Sequence, residues 1–395
     1  MVYSAILIAS VFLLLAFAVE RFSPALGVPS VIVLVVLGFV AKPVLALLGY
    51  TLDGLDVTVP IIGTIGLVLI VLEGALDITI RRDRLKLVGM AFFLASSGFV
   101  ICVGAFGVVI HQVLSVTPIQ AAMLAVPFAV ISSAVAISSS QFLPPEGREF
   151  VVYESSLSDI LGVLMFFALL NSGGTLQGVL LGLIGGGVLS LLLAALCSVG
   201  LVLILMRIEG HIRFVPLLAG LFGLYAAGEL LHLSPLIMVL MFGLVLNNAL
   251  RITARFEPLK RWMDASFDDT LSEFKVLVLE LTFAVRGFFF LLLGYWTDLS
   301  DLVSYQAWAG AALVLLVLYG SRYLLLRVHR HALSAALQWI APRGLITVLL
   351  FLTAKERLEL PGYLSGTVLI VVLASTALVM VARFRSTSAQ GGQVP

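Results

Sequence analysis

Residues 151–170 read VVYESSLSDILGVLMFFALL, and this stretch decides how the rest of the sequence is interpreted. Asp159 stands near its middle and is followed by an almost unbroken apolar run. An apolar run of about 20 residues is long enough to cross the hydrocarbon of a bilayer as a helix. The stretch therefore predicts a membrane span that carries a carboxyl group close to the bilayer midplane.

The composition of the whole chain is typical of a membrane protein. Hydrophobic residues make up 61% of the 395 residues and charged residues only 11%, whereas a soluble domain carries about a quarter charged residues. The net charge of +1 argues against nucleic acid as a partner. The two cysteines, Cys102 and Cys197, stand in apolar runs, so we interpret them as small buried hydrophobic residues.

Thirteen apolar segments are predicted to cross the membrane as helices, by the length that a bilayer requires. They cover residues 2–20, 28–49, 57–79, 87–111, 117–142, 149–171, 176–206, 213–231, 234–249, 275–297, 306–328, 335–354 and 362–383. The first segment follows Met1 without a cleavage signal, so we expect a retained span and not a signal peptide.

The distribution of lysine and arginine tests this number of spans. With the N-terminus outside, 17 of the 23 basic residues fall in loops on the inner side, including the cluster between Arg81 and Lys86. Three fall outside, and three, Arg286, Arg322 and Arg343, fall within spans. Basic residues concentrate in the cytoplasmic loops of membrane proteins. We therefore expect a multi-pass protein of the cell (inner) membrane, with its N-terminus outside and its C-terminus cytoplasmic.

The predicted fold is an all-α polytopic membrane protein of about 13 transmembrane helices, built from two inverted six-helix repeats. Residues 1–171 form the first repeat, residues 172–206 a linker span, and residues 207–385 the second repeat. An odd number of spans between two repeats gives them opposite orientations, as in many secondary transporters. The polar residues 386–395 are expected to form a disordered tail.

Asp159 is the strongest candidate for a functional residue, because an ionisable side chain at membrane depth is costly and usually functional. Ser155 lies four residues before it and hence on the same helical face. A hydroxyl and a carboxylate are suitable ligands for a small hard cation, and the carboxylate can bind a proton instead. The alternative is a purely structural Asp that is hydrogen-bonded or held in a salt bridge.

Two other spans are predicted to be broken helices. The fifth contains Pro127 and then the small polar run ISSAVAISSS at 131–140, so we expect an interruption near Ser132–Ala136. The twelfth places a proline, a charge and a glycine together in Ile340–Gly344. Interrupted segments at corresponding positions of the two halves point to the binding site of a transporter. Close packing of small residues between helices would explain the fifth span equally well on its own.

The arginines within the membrane need partners, because Arg remains charged when it is buried. For Arg343 we predict Glu154 as the partner, with Glu280 as the second choice. Arg286 is expected to pair with Glu280, although a spacing of six residues puts them on different helical faces. Glu73, in the third span, is a possible secondary residue of the site.

These residues resemble the motifs of the monovalent cation:proton antiporter superfamily. Residues 154–159, Glu-Ser-Ser-Leu-Ser-Asp, are similar to the Glu-Ser-Leu-Leu-Asn-Asp signature of bacterial and archaeal sodium/proton antiporters. Residues 72–77, Leu-Glu-Gly-Ala-Leu-Asp, resemble that family's Phe-Glu-Gly-Gly-Leu stretch. Residues 343–347, Arg-Gly-Leu-Ile-Thr, resemble its Arg-Gly-(apolar)-(apolar)-Ser/Thr segment. The resemblance covers essentially the whole chain in the order of spans and the position of motifs.

The resemblance implies a role for each of these residues. Asp159 would carry the cation and the proton, and Ser155 would be a coordinating hydroxyl for the monovalent metal cation. Glu154 would pair with Arg343 and hold the crossed helices together. The full set predicted to bind the ion or the proton consists of Asp159, Ser155, Ser158, Ser132 and Ser133. A homodimer is also implied, with one domain holding the crossed helices and another forming the dimer contact.

Two departures from the family pattern bear on the charge and identity of the ion. The Asn or Asp that usually precedes the carrier Asp is Ser158 here, which implies a single carboxylate and electroneutral exchange. The usual Thr-Asp-Pro of the broken fifth helix is replaced by residues 132–134, Ser-Ser-Ala, a sequence more similar to the potassium/proton branch.

We therefore predict a secondary active antiporter that exchanges Na⁺ or K⁺ for H⁺ by competition at Asp159 under alternating access, without a cofactor and without enzymatic activity. A cation channel or another inverted-repeat secondary transporter is the alternative. A channel would need a continuous polar pore or rings of charge, whereas the spans offer one isolated carboxylate. An intramembrane protease would need a second deep Asp or a Ser–His pair, and the five histidines stand near span ends or in loops.

Overall fold

A computed structural model of the chain describes residues 2–26, 28–50, 54–77, 84–205, 214–231, 233, 235–249, 266–297, 299–328 and 337–390. Within these ranges the fold is all-helical, with no β-strand. The predicted all-α polytopic fold is therefore confirmed. Part of the basic cluster between Arg81 and Lys86 lies outside the described residues, as do the loop residues 250–265.

The helices form the following series in chain order. They are α1 (Val2–Leu26), α2 (Ser30–Leu47), α3 (Leu55–Asp77), α4 (Leu85–Leu114), α5 (Pro118–Ala129), α6 (Ser133–Ser139), α7 (Pro145–Leu170), α8 (Leu176–Leu181), α9 (Gly187–Leu205), α10 (Phe214–Leu230), α11 (Pro235–Asn247), α12 (Ser266–Trp296), α13 (Leu299–Val303), α14 (Tyr305–Val328), α15 (Leu345–Arg357) and α16 (Tyr363–Gln390). A π-helical turn, Gly182–Gly186, joins α8 to α9, and a 3₁₀ turn, Leu337–Trp339, precedes α15.

Each predicted span coincides with one of these helices or with a pair of them. Within the part of the chain that the structure describes, ten segments are long and apolar enough to cross a membrane, and α5 and α6 together form one of the ten. The apolar helices α10 and α11 are shorter; at about 1.5 Å per residue, α11 is roughly 20 Å long, less than the hydrocarbon thickness of about 30 Å. The number of helices that cross the membrane completely stays a prediction, as does the division into inverted repeats.

The described helices pack as two groups, and both halves of the chain contribute to each group. The broken-helix group consists of α4, α5, α6, α7, α14, α15 and α16. The flanking group consists of α1, α2, α3, α9, α10, α11 and α12. The two groups meet where α3 contacts α7 and α15, where α11 contacts α7, and where α2 contacts α16. A site on α7 can therefore face the boundary between the groups.

Glycines bring two helices of the flanking group into direct backbone contact. Gly38 on α2 lies against Leu291 of α12, and Gly294 on α12 lies against Val35 of α2. A Cβ atom at either glycine would collide with the facing carbonyl oxygen. Small residues allow this close approach, which strengthens van der Waals packing between membrane helices.

The C-terminal segment differs from the prediction of a disordered tail at 386–395. Helix α16 continues to Gln390, and residues 391–395 lie outside the described residues. Residues 386–390, Ser-Thr-Ser-Ala-Gln, include no Gly or Pro, so nothing in them stops a helix before the Gly-Gly pair at 391–392.

Candidate functional site

The fifth span is broken between α5 and α6. Val130 and Ser132 have extended backbones, with φ/ψ of −81°/129° and −73°/114°. The interruption lies at residues 130–132, so the prediction of Ser132–Ala136 is a few residues too far along the chain. Pro127 removes one backbone donor near the end of α5, and the β-branched Val130 and Ile131 that follow favour an extended backbone. The serines begin the second helix of the span instead of interrupting it.

The twelfth span is broken as well, between the 3₁₀ turn and α15. Residues 340–344 are non-helical, and Gly344 is the N-cap of α15. Pro342 disfavours the helical conformation for Ala341 before it. The predicted pair of interrupted helices is therefore present in the structure.

The two interruptions cross each other in backbone contact. The backbone N–H of Ser132 donates to the carbonyl oxygen of Pro342 at 2.9 Å. A Cβ atom at Gly344 would lie 2.5 Å from the Ser132 Oγ and 2.9 Å from its Cβ. Only glycine leaves room for this crossing. Each break thereby satisfies part of the backbone that the other leaves without a helical partner, as the membrane interior requires.

Arg343 binds the end of α5 and not Glu154. Its Nε donates to the carbonyl oxygen of Phe128 at 2.8 Å, and its Nη1 donates to that of Ala341 at 3.0 Å. Its backbone N–H donates to the Ser375 hydroxyl at 2.9 Å. The last carbonyls of a helix lack partners within the helix and carry partial negative charge. The buried guanidinium therefore caps a helix end that lies inside the protein.

The predicted Glu154–Arg343 pair is wrong, because Glu154 pairs with Arg322 of α14. Arg322 Nη1 and Nη2 lie 2.6 and 2.8 Å from the two carboxylate oxygens of Glu154, a bidentate geometry. Arg322 Nε also donates to the carbonyl oxygen of Leu337, in the 3₁₀ turn, at 2.8 Å. The pair thus joins α7, α14 and the broken twelfth span. The non-helical backbone at Arg343 directs its guanidinium towards α5, which leaves Glu154 to the arginine of α14.

The serines of α7 differ in what their hydroxyls do. The Ser158 hydroxyl accepts the backbone N–H of Ile131 at 2.9 Å, so it stabilises the break of the fifth span. The Ser155 hydroxyl donates to the carbonyl oxygen of Val151 on its own helix at 2.7 Å. Among the described residues with buried side chains, Ser156 has a hydroxyl without a hydrogen-bond partner.

Asp159 lies in a cavity at the boundary between the two helix groups. The cavity volume is about 20 Å³, on the order of one or two water molecules. Its walls are provided by α3, α7 and α11, and the lining residues are Ile70, Val71, Gly74, Ala75, Ser156, Asp159, Ile160, Val163, Leu236, Ile237 and Leu240. Most of these side chains are apolar, so water is largely excluded around the carboxyl group.

The carboxyl group of Asp159 is incompletely hydrogen-bonded. Asp159 is 5% exposed, and within the described part of the chain its Oδ1 has no hydrogen-bond partner. Ser133, the first residue of α6, faces the carboxyl group with its backbone and its hydroxyl. A buried polar atom without a partner is costly in a protein interior. The geometry therefore suits a group that receives a cation or a proton.

The remaining candidates from the sequence are dispersed. Glu280 is exposed on α12, so it pairs neither with Arg343 nor with Arg286. Arg286 instead lies 3.6 Å from Glu20 of α1 and donates weakly to the carbonyl oxygen of Ala134 at 3.5 Å. Glu73 is half-buried on α3, one residue before the cavity-lining Gly74.

A second, larger cavity opens beside the C-terminal end of α6. Its volume is about 400 Å³, and its polar lining residues are Glu20, Ser23, Ser30, Ser138, Ser139, Gln141 and Arg383. These residues come from the ends of α1, α2, α6 and α16 for which the distribution of basic residues predicts the cytoplasmic side. The ion pair of Glu20 and Arg286 and the contact of Arg286 with Ala134 lead from this cavity towards Ser133.

Sequence reasoning missed the contacts of Arg322, Glu20 and Ser375 and the position of Ser156 in the cavity. Arg322 had a visible signal, since it is one of three arginines within apolar spans and each needs a partner. Ser156 adjoins the predicted Ser155, and the sequence does not give the rotation of the helix that exposes one and not the other to the cavity. Glu20 and Ser375 act through contacts with distant segments, which leave no local pattern.

Comparison with known proteins identifies the family of the chain. The family model described as "Sodium/hydrogen exchanger, transmembrane" matches residues 7–384. The solved structure of the sodium proton antiporter MjNhaP1 from Methanocaldococcus jannaschii at pH 8 is similar, with a TM-score of 0.72, 24% identity and 98% of each chain covered. A structure from an electron-microscopy map of the same antiporter is also similar, with a TM-score of 0.70, 22% sequence identity and 100% of each chain covered. A search of curated proteins finds no match. The match over residues 7–384 places the chain in the transmembrane sodium/hydrogen exchanger family.

Proposed function

We propose that this protein exchanges Na⁺ for H⁺ across the membrane by competition of the two ions for Asp159. Family membership supports cation:proton antiport as the class of activity, which is transport and not an enzymatic reaction. The observation that carries the assignment to Asp159 is its buried carboxyl group, whose Oδ1 lacks a partner among the described residues. The family description favours Na⁺ over K⁺ as the transported cation.

The apolar surroundings of Asp159 explain why two ions would compete. An unpaired carboxylate among apolar side chains is costly, and the cost falls when either a cation or a proton neutralises it. The cavity is too small to hold a hydrated cation next to a protonated Asp159. Binding of one ion therefore excludes the other, and this exclusion couples the two fluxes in opposite directions.

The position of Asp159 supports alternating access as the transport mechanism. Asp159 belongs to the broken-helix group, whereas α3 and α11 on the opposite wall of its cavity belong to the flanking group. Movement of one group against the other would open the cavity to each side of the membrane in turn. A carboxylate without a bound ion would resist this movement through a low-dielectric boundary, which suppresses uncoupled leakage.

A single charge at the site favours electroneutral exchange of one cation for one proton. Among the described residues that line the cavity, Asp159 has the only ionisable side chain. The preceding residue, Ser158, is neutral, and its hydroxyl is engaged by the backbone N–H of Ile131. Bound Na⁺ and bound H⁺ then give the site the same net charge, so a full cycle would move no net charge.

The orientation and assembly of the protein follow as further parts of the proposal. The distribution of basic residues supports an outside N-terminus and a cytoplasmic C-terminus. The resemblance to the antiporter superfamily supports a homodimer formed through the flanking group.

Exchange in proteoliposomes with a pH-sensitive dye in the lumen tests the proposal. An inward Na⁺ gradient should make the wild type alkalinise the lumen, and an outward gradient should make it acidify the lumen. Asp159→Asn should abolish both responses. Glu146→Gln is the matched control, because it makes the same change at an exposed carboxyl group of the same helix. Exchange retained by Asp159→Asn would reject the assignment of the carrier.

The same vesicles test the cation and the charge of the cycle. A response to K⁺ larger than that to Na⁺ would reject Na⁺ as the preferred cation. For the Na⁺ response, a membrane potential set by K⁺ and valinomycin should leave the rate unchanged. A rate that depends on the potential would reject the electroneutral stoichiometry.

A further inference from the structure

We propose that the π-helical turn Gly182–Gly186 is the hinge about which the broken-helix group moves against the flanking group. This inference rests on the alternating access proposed above and assigns the bending of the chain to one place. The turn belongs to the seventh span, which runs from α8 through the turn into α9. None of the described residues that line the cavity of Asp159 belongs to the turn.

The seventh span changes its packing partners at the turn. Helix α8 and the turn pack against α7 of the broken-helix group. Gly182 begins the turn, and a Cβ atom there would lie 3.6 Å from the Ala168 Cα on α7. Helix α9 packs instead against α10 and α11 of the flanking group. The two arms of this one span are therefore attached to different groups.

The other passages of the chain between the groups are of a different kind. The chain also changes group between α3 and α4 and between α12 and α14, and at both places a separate segment joins two different spans. In the seventh span the change of group takes place within a single apolar span. A relative movement of the groups must therefore bend this span or pull one arm away from its neighbours.

The arms are held by buried side chains. Val179 of α8 is 5% exposed. In α9, the small residues Ser190, Ala194 and Ser198 are fully buried at a spacing of four, which places them on one helical face. Small residues let membrane helices approach each other closely. Each arm is therefore expected to move with the group that it contacts, which leaves the bending to the turn.

The backbone of the turn is suited to bending. A π-helical turn closes its hydrogen bonds over five residues instead of four, and such turns are rare and often lie at functional sites. Three of the five residues are glycine, namely Gly182, Gly185 and Gly186, and Gly187 follows as the first residue of α9. Glycine reaches more backbone conformations than any other residue. Hinges are short segments that absorb changes in φ and ψ, and this turn has the composition that such a segment needs.

Replacement of the glycines by alanine tests the hinge in proteoliposomes. Gly182→Ala/Gly186→Ala should lower the maximal rate of exchange about 5- to 30-fold, because each alanine favours the helical backbone by a factor of about 2–5. Gly200→Ala in α9 is the matched control, since a Cβ atom there has nothing within 4 Å. The control should keep a rate close to that of the wild type. An undiminished rate in the double variant, or an equal loss in Gly200→Ala, would overturn the inference.

The stability of the same variants separates a hinge from a purely structural role of the glycines. A Cβ atom at Gly182 meets Ala168 at ordinary van der Waals distances of 3.6–3.8 Å, so Gly182→Ala should fit without a clash. The unfolding temperature in detergent should therefore equal or exceed that of the wild type. Its increase in NaCl over choline chloride should also be unchanged, because the turn lies away from Asp159. A lower unfolding temperature of Gly182→Ala, together with slower exchange, would contradict the hinge.

The distance between the two groups gives a readout that does not depend on transport. Spin labels at Asn171, at the end of α7, and at Leu230, at the end of α10, are both at exposed positions. In a protein whose two native cysteines are replaced by alanine, pulsed electron paramagnetic resonance should show two populations of distances. Gly182→Ala/Gly186→Ala should shift the distribution towards one of them, and Gly200→Ala should not.

Identical distance distributions in the double variant and in Gly200→Ala would reject the hinge. A wild type that exchanges Na⁺ for H⁺ while the distances are unaffected by the hinge substitutions would leave the proposed function standing. A wild type that exchanges no cation would instead reject the proposed function itself, so the two failures are distinguishable.

Discussion

The replacement Glu154→Gln removes the negative charge that Arg322 contacts through two hydrogen bonds of 2.6 and 2.8 Å. The two residues are 2% and 6% exposed, so water cannot replace the lost partner. Removal of one member of a buried ion pair costs about 3–5 kcal/mol of unfolding free energy. We expect a cost near the lower end, about 3 kcal/mol, because Arg322 keeps its hydrogen bond to Leu337 and a glutamine oxygen can still accept one N–H.

The measurement is the free energy of unfolding of the purified protein in mixed detergent micelles, for Glu154→Gln, Arg322→Gln and the double variant. Contacting charges couple, so the double variant should be more stable than the sum of the single effects by about 0.5–3 kcal/mol. A second cycle with Arg343→Gln in place of Arg322→Gln should give a smaller coupling. A larger coupling of Glu154 with Arg343, or a cost of Glu154→Gln below roughly 1 kcal/mol, would refute the pairing.

Two further predictions concern the crossing of the broken helices. Gly344→Ala should lower the unfolding free energy by about 1–3 kcal/mol, because its Cβ would meet the Ser132 Oγ at 2.5 Å; thermal unfolding should show no comparable loss for Gly104→Ala, which has nothing within 4 Å. Ser158→Ala leaves the backbone N–H of Ile131 without its acceptor and should cost about 1–3 kcal/mol. An unchanged unfolding temperature in Ser158→Ala would contradict this role of the hydroxyl.

The positions of most helices could be predicted because these helices lie within apolar runs between polar segments. The same holds for the burial of Asp159, since a charge flanked by apolar residues in a span has nowhere else to lie. The pairing of the two interruptions was also visible, from the serine-rich run in one half and the Pro-Arg-Gly sequence in the other. These features depend on local composition, which the sequence contains directly.

The ion pairs could not be predicted, because the non-helical segment around Arg343 sets the direction of its side chain. Three arginines lie within spans, and a choice among their partners requires the path of the backbone. On a helix, Ser156 and Ser155 stand about 60° and 40° from Asp159 around the axis. Both are close enough to share its face, and the packing of α7 against α3 decides which of them reaches the cavity.

The contacts that join the two broken spans, such as the hydrogen bond between Ser132 and Pro342, can form only after the twelfth span has been synthesised. Phe128 and its partner Arg343 are 215 positions apart, and at about 5–20 residues per second the ribosome needs roughly 10–40 s to add that length. During this interval the broken fifth span is in the membrane without the groups that later satisfy its backbone, at a cost of several kcal/mol for each unpaired group. The nascent protein must therefore hold this segment in another arrangement until the twelfth span arrives, and the surroundings of Asp159 are completed among the last steps of insertion.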